Sequence, residues 1–201
     1  IPSPSIAEPA RAKNVIILLT DGTGPEAWPL ARWVKGAPLA VDEILTGAVR
    51  TYGADSAITD SAPGATAFAT GFKGTDKGIS VAPWRITIDA AKADPANKYI
   101  PLATLIEGAR LTGRATGVVA TSNVQHATPA AFSSHWHDRN NYNEIAEQQV
   151  YQGMDVVLSG GAQYFLPKET AGGKREDKEN LVDDIKAKGY SYVTDRYSMS
   201  S

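Results

Sequence analysis

The sequence predicts an α/β fold with a largely parallel central sheet and helices on both faces. Three observations carry that expectation. Val15-Ile16-Ile17-Leu18-Leu19 is an unbroken β-rich apolar run, the mark of a strand covered on both faces. Shorter apolar runs recur at 115–120 and 156–158. Stretches of helical spacing separate these runs, so strand and helix alternate as they do in parallel sheets. Such sheets place ligands beyond the carboxyl ends of their strands.

In chain order, residues 1–12 hold three prolines and no periodicity, and they read as an extended arm ahead of one domain over 13–201. The Ile1-Pro2-Ser3-Pro4 start lacks Met and a basic or apolar leader region, as expected either of a mature chain after signal removal, in a periplasmic or secreted location, or of a trimmed chain. After the 15–19 strand and the turn Thr20-Asp21-Gly22-Thr23-Gly24, a helix is expected over 25–34 and a second around 41–45. Val49, Thr51 and Tyr52 suggest a strand over 47–53. The Ala-, Thr- and Ser-rich stretch 60–71 reads as a helix whose small residues allow close approach to a sheet or ligand. Residues 74–83 read as loop and short strand. A helix over 101–111 is expected to share an apolar face of Leu102, Leu105, Ile106 and Ala109, with Gly113 as its stop. Strands follow at 115–120 and 156–158, with a loop after the first and a helix over 142–151 between them. The last expected helix, 176–188, turns Leu181, Val182 and Ile185 inward.

Composition removes several function classes. The chain's 201 residues suffice for a domain with a sizeable core. Its 20 Lys and Arg against 22 Asp and Glu leave no basic surface for nucleic acid. The longest apolar run, 15–19, is far short of the ~20 residues of a membrane span. With no cysteine, disulfides, thiolate metal sites and cysteine nucleophiles are excluded.

The residues able to do chemistry sit after the expected strands. Asp21 follows the first strand between glycines, either as a carboxylate open to a metal or as a cap for the next helix. Ser61, in Thr59-Asp60-Ser61-Ala62-Pro63, stands at a helix start, where the free N–H groups of the first turn suit a phosphate. Ser61 or Asp60 could equally be a plain N-cap. Gln125-His126-Ala127-Thr128-Pro129 follows the strand at 115–120, and His135, His137 and Arg139 come soon after. An imidazole, a hydroxyl and a guanidinium together suggest an anion or metal site, although His137 reads better as loop surface. Arg139 can grip two phosphate oxygens at once, which lysine cannot.

With these blocks in place, the chain resembles the metal-dependent alkaline phosphatases. The matching segments are 14–24, 51–71, 117–130, the span around 135–142, and 155–167. The resemblance implies phosphomonoester hydrolysis with inorganic phosphate as product, two Zn2+ and one Mg2+ as cofactors, and a homodimer among the assemblies open to it. It implies that Ser61 is the nucleophile that becomes phosphoserine and also meets a metal. It assigns Asp21 as the carboxylate bridging the second zinc and the magnesium. Thr128 becomes a hydroxyl ligand of the magnesium, and Arg139 the clamp on the phosphoryl oxygens, with Asp60 holding it. His126 falls where family members carry Asp or His, either ligating a metal directly or acting from behind a ligand. The family also draws Asp and His zinc ligands from later in a longer chain. Here His137 is the last histidine. The chain is therefore expected to be the N-terminal part of a longer catalytic domain, its sheet incomplete and the C-terminal half its partner.

Three other readings compete. A phosphodiesterase or sulfatase of the same superfamily is the nearest. A metal-free serine hydrolase would use His126 or His135 as base, but the chain has no Gly-x-Ser-x-Gly elbow around Ser61. A non-catalytic phosphate-binding fragment would keep Ser61 and Arg139 without metals.

Overall fold

The computed structural model describes residues 12–86 and 95–199, so the arm expected over 1–12 lies, apart from Ala12, outside the described residues. The chain divides after Thr46 into two compact units.

In the first unit, helix α1 spans Ala27–Lys35 and stops at Gly36, whose left-handed backbone (φ 68°) turns its N–H onto the carbonyls of Arg32 and Trp33. A 3-10 turn at Ala40–Glu43 replaces the helix expected around 41–45. Its anchor is Asp42, which accepts two bonds from Arg32 (2.8 and 2.5 Å) and one from the Leu39 N–H (2.8 Å). The Arg32 bond, aided by that N–H, holds the Asp42 carboxyl down to about 2. The expected strand at 15–19 does not form. Residues 15–18 are irregular, and Val15, Ile16 and Leu18 stand 78, 84 and 87% exposed. β propensity alone cannot hold a strand, and no described strand pairs with this one to take up its N–H and C=O groups.

The second unit runs through α2 (Ser61–Thr70), α3 (Leu105–Leu111), β1 (Gly117–Asn123), α4 (Ala127–Ser133), α5 (Tyr142–Gln152), β2 (Val156–Gly160) and α6 (Leu181–Ala187). β1 and β2 pair in parallel, with Gly117 opposite Val156 and Val119 opposite Leu158, so the α/β class holds. Among the described residues the sheet has two strands, not a broad central sheet. The crossover between them contains α4 and α5.

Four local differences from the sequence reading have local causes. Residues 47–53 form no strand, because the chain turns back at Gly53 and Ala54, whose N–H groups donate to Ser56 and Gly74. The α3 helix begins only after Thr104, since Val81 and Pro101 form a β-bridge and Thr104 caps the helix reciprocally with Glu107. Only Ile106 of its expected apolar face is fully buried, and Leu105 is exposed. The stretch ahead of α6 is not helical. The Arg175 guanidinium, 1% exposed, draws in Asp177 and Glu179 along with the carbonyls of Asn143 and Tyr164. Finally, the loop expected after β1 contains α4, with Pro129 in its first turn, where its missing N–H is harmless. No described helix is long and apolar enough to cross a membrane.

The small residues of α2 pack against α4, not against a sheet. Ala62 joins Ala127, Ala130, Ile79 and Ile145 in one cluster, and Ala65 and Ala69 join Ala131 in another. A second core, of Val124, Ala146, Val150, Phe165, Leu181 and Val182, ties α5 to α6. Alanine on both helices leaves no room for a longer side chain. Ala130→Leu should therefore cost about 1–3 kcal/mol through overpacking, lowering the thermal midpoint by several degrees. An unchanged midpoint in calorimetry would show that the two helices are not in close contact there.

Candidate active site

Asp60 is the N-cap of α2, extended in backbone, and its Oδ2 accepts the Ala62 N–H at 3.4 Å. Ser61 is therefore the first helical residue, half-buried at the start of α2. The N–H groups of Ser61 and Ala62 both serve the Asp60 carboxylate, and Pro63 has none. The open cradle of N–H groups expected for a phosphate is therefore filled by the cap itself.

His126 is the N-cap residue of α4, with Thr128 in that helix's first turn. Because α2 and α4 pack side by side, both helix starts belong to one compact body. Arg139 joins them from the loop before α5. Its Nη1 donates to Asp60 Oδ1 at 2.5 Å and its Nη2 donates to His126 Nε2 at 3.0 Å. Guanidinium has only donors, so His126 Nε2 is the acceptor in this contact. Two of the five N–H bonds of Arg139 are used this way. Burial works to raise the Asp60 carboxyl, but the Arg139 hydrogen bond and charge, with the Ser61 and Ala62 N–H groups, outweigh it. The net result is a carboxyl held below its ordinary range.

Four sequence-identified residues thus come together: Asp60, Ser61, His126 and Arg139. Asp21 lies in the other unit, in the exposed turn that follows residues 15–19. His137 is exposed and lies between the rings of Tyr99 and Trp136. His135 turns away from Asp60 and Arg139 to Ser80 and Glu107. Both ring nitrogens of His135 are engaged there, and His126 Nε2 is engaged by Arg139. Sequence reading passed over Glu107, although Thr104-Leu105-Ile106-Glu107 has the spacing of a capping box and could have flagged it.

Among the described residues, no three His, Asp or Glu side chains gather as a ligand set.

An alkaline phosphatase family model matches residues 12–201. The chain is 36% identical to the repressible alkaline phosphatase of Saccharomyces cerevisiae over 95% of its own length and 35% of that protein's. It is 38% identical to alkaline phosphatase 3 of Bacillus subtilis, over 93% of this chain and 39% of that one. Among solved structures, the cold-active alkaline phosphatase of a psychrophilic Shewanella superposes with a TM-score of 0.70 at 35% identity, over 87% of this chain and 40% of that one. The alkaline phosphatase of the Antarctic bacterium TAB5 gives 0.68 at 29% identity, over 90% and 48%. Two histidine variants of that enzyme have been solved with Mg bound in the M3 site. The chain belongs to the alkaline phosphatase family, and it spans less than half the length of each of these relatives.

The Asp60–Arg139 pair has a pH signature. A depressed folded-state value means that Asp60 adds stability above its unfolded value of ~3.9, and that this stability is lost as pH falls through the lower folded value. Asp60→Asn should therefore melt earlier than the parent at pH 7, with the gap closing as pH drops below about 4. A gap independent of pH would mean that the carboxylate charge contributes nothing.

Proposed function

We propose that residues 13–201 are the nucleophile-bearing N-terminal part of a single catalytic domain that hydrolyses phosphate monoesters through a phosphoserine on Ser61. The observation that carries the reading is the meeting of Asp60, Arg139 and the Ser61 end of α2. Ser61 Oγ attacks the phosphorus, its proton leaves, and the P–O bond to the leaving alcohol breaks as that oxygen takes a proton. Water then cleaves the phosphoserine, returning the serine hydroxyl and releasing inorganic phosphate. Phosphoryl transfer spreads charge over the non-bridging oxygens, so positioning and electrostatics carry most of the catalysis. Arg139 is the residue proposed to bind those oxygens, with Asp60 and His126 holding its guanidinium.

Membership of the family supports metal assistance, with two Zn2+ and one Mg2+ as the proposed complement. This chain's share of the ligands is Asp21, Ser61, His126 and Thr128, and the rest come from the C-terminal half of a longer enzyme. Bound divalent ions lower the pKa of a coordinated hydroxyl and polarise phosphoryl oxygens, which a serine at neutral pH needs. For His126 to reach a cation through Nε2, its contact with Arg139 has to open.

Two tests follow on the full-length, metal-loaded protein. Ser61→Ala should abolish the radiolabelled phosphoenzyme and lower turnover by orders of magnitude, and labelling at the parent level would rule out Ser61. Asp21→Asn should reduce zinc and magnesium content in elemental analysis, whereas unchanged stoichiometry would return Asp21 to helix capping.

A further inference from the structure

Ser80 has the environment of a structural hub. It is fully buried and holds a positive φ of 43°, a strained conformation for a non-glycine residue that persists only where its surroundings fix it. Every polar group it has is used. Its N–H donates to Thr66 Oγ1 on α2 at 2.9 Å, and its Oγ donates to the Ala131 carbonyl on α4 at 2.5 Å. The Ser80 carbonyl accepts the Leu102 N–H at 2.9 Å and His135 Nδ1 at 2.8 Å.

His135 continues the chain of contacts. Its Nε2 donates to Glu107 Oε1 at 3.0 Å, while Glu107 Oε2 accepts the Thr104 N–H that starts α3. Burial opposes the Glu107 charge, yet the Thr104 N–H and His135 outweigh it and keep the carboxyl below its ordinary range. The main chain of His135 is pinned as well, exchanging two bonds with the Gln148 amide on α5 (2.7 and 2.9 Å).

What lies beyond His135 gives these contacts their consequence. Trp136 and Ile79 exchange main-chain bonds of 2.9 and 2.8 Å, and the Arg139 N–H donates to the Lys77 carbonyl at 2.8 Å. Residues 77–80 and 135–139 therefore run as one antiparallel strip. Arg139 stands at one end of it, and the Ser80–His135–Glu107 contacts close the other. Through Thr66 and Ala131, Ser80 also fixes that strip to the helices that start at Ser61 and Ala127.

We propose that His135 is a positioning residue, whose brace between the Ser80 carbonyl and Glu107 sets where Arg139 stands relative to Ser61. This rests on the reading of Arg139 as the phosphate-binding guanidinium. His135 touches no reacting atom in this account and works only through Arg139.

Because its action passes through Arg139, a double-mutant cycle separates the brace from a general structural role. On the full-length, metal-loaded protein, the inhibition constant for inorganic phosphate is measured for His135→Ala, Arg139→Ala and the double variant, with zinc and magnesium content determined in each. His135→Ala should weaken phosphate inhibition about tenfold or more with metal content unchanged. The double variant should match Arg139→Ala within about twofold, where independent effects would multiply. His135→Asn, which keeps a donor for the Ser80 carbonyl and loses Glu107, should fall between parent and His135→Ala, and it decides the matter if the alanine variant does not fold. Unchanged phosphate inhibition in His135→Asn and His135→Ala, or multiplying effects in the double variant, overturns the brace while leaving the clamp reading intact. Unchanged inhibition in Arg139→Ala overturns the clamp reading and the brace with it.

Discussion

The Asp60 carboxylate works at two places at once, ending the chain's irregular run into α2 and anchoring a guanidinium from a loop 79 residues later. Oδ2 faces the first turn of the helix and Oδ1 faces Arg139. Ser61 follows this cap directly in sequence and opens α2. An aspartate cap is ordinary at a helix start, and an aspartate–arginine pair is ordinary at a protein surface. Combined on one partly buried carboxylate, they tie the start of α2, where Ser61 stands, to the Arg139 guanidinium. His126 adds a third point, holding the other end of the guanidinium from the start of α4.

This arrangement needs α2 and α4 to lie close together, and alanine makes that possible. The shared faces carry Ala62, Ala65 and Ala69 on one side and Ala127, Ala130 and Ala131 on the other. Such an interface gains little from burial of large side chains, so its alignment depends on hydrogen bonds at its margin. Ser80 supplies two of these, one to each helix, and the Ser133 and Ser134 hydroxyls tie the end of α4 back to its own carbonyls. Close packing and directional bonds together hold the site-bearing elements in register.

Much of this was legible in the sequence, and the parts that were not share a cause. Helices α2 and α5 lie where cap, spacing and stop signals put them, because those signals act within a few residues. The parallel pairing of β1 and β2 follows from two short apolar runs with a crossover between them. Residues 15–19 read as the most obvious strand and form none, because a strand depends on neighbours that its own residues do not specify. Within the site, the Asp60-Ser61 cap and the chemistry of Arg139 were visible, whereas the roles of His135 and Glu107 were not. A histidine in a loop carries no mark of which carbonyl or carboxylate it will meet 28 or 55 residues away. The helix α4 was hidden by its own composition, since Pro129 and flanking polar residues read as a loop until burial of its alanines is known.

The Asp60 carboxylate holds Arg139 at the helix start that carries Ser61, the proposed phosphoryl acceptor. A crystal structure of the full-length, metal-loaded protein with bound vanadate, which mimics the five-coordinate phosphorus, tests it most directly. The account predicts vanadium bonded to Ser61 Oγ, two equatorial oxygens hydrogen-bonded by Arg139, and the Asp60–Arg139 contact intact. Vanadate bound away from Ser61, or Arg139 engaged with vanadate only after leaving Asp60, would contradict it.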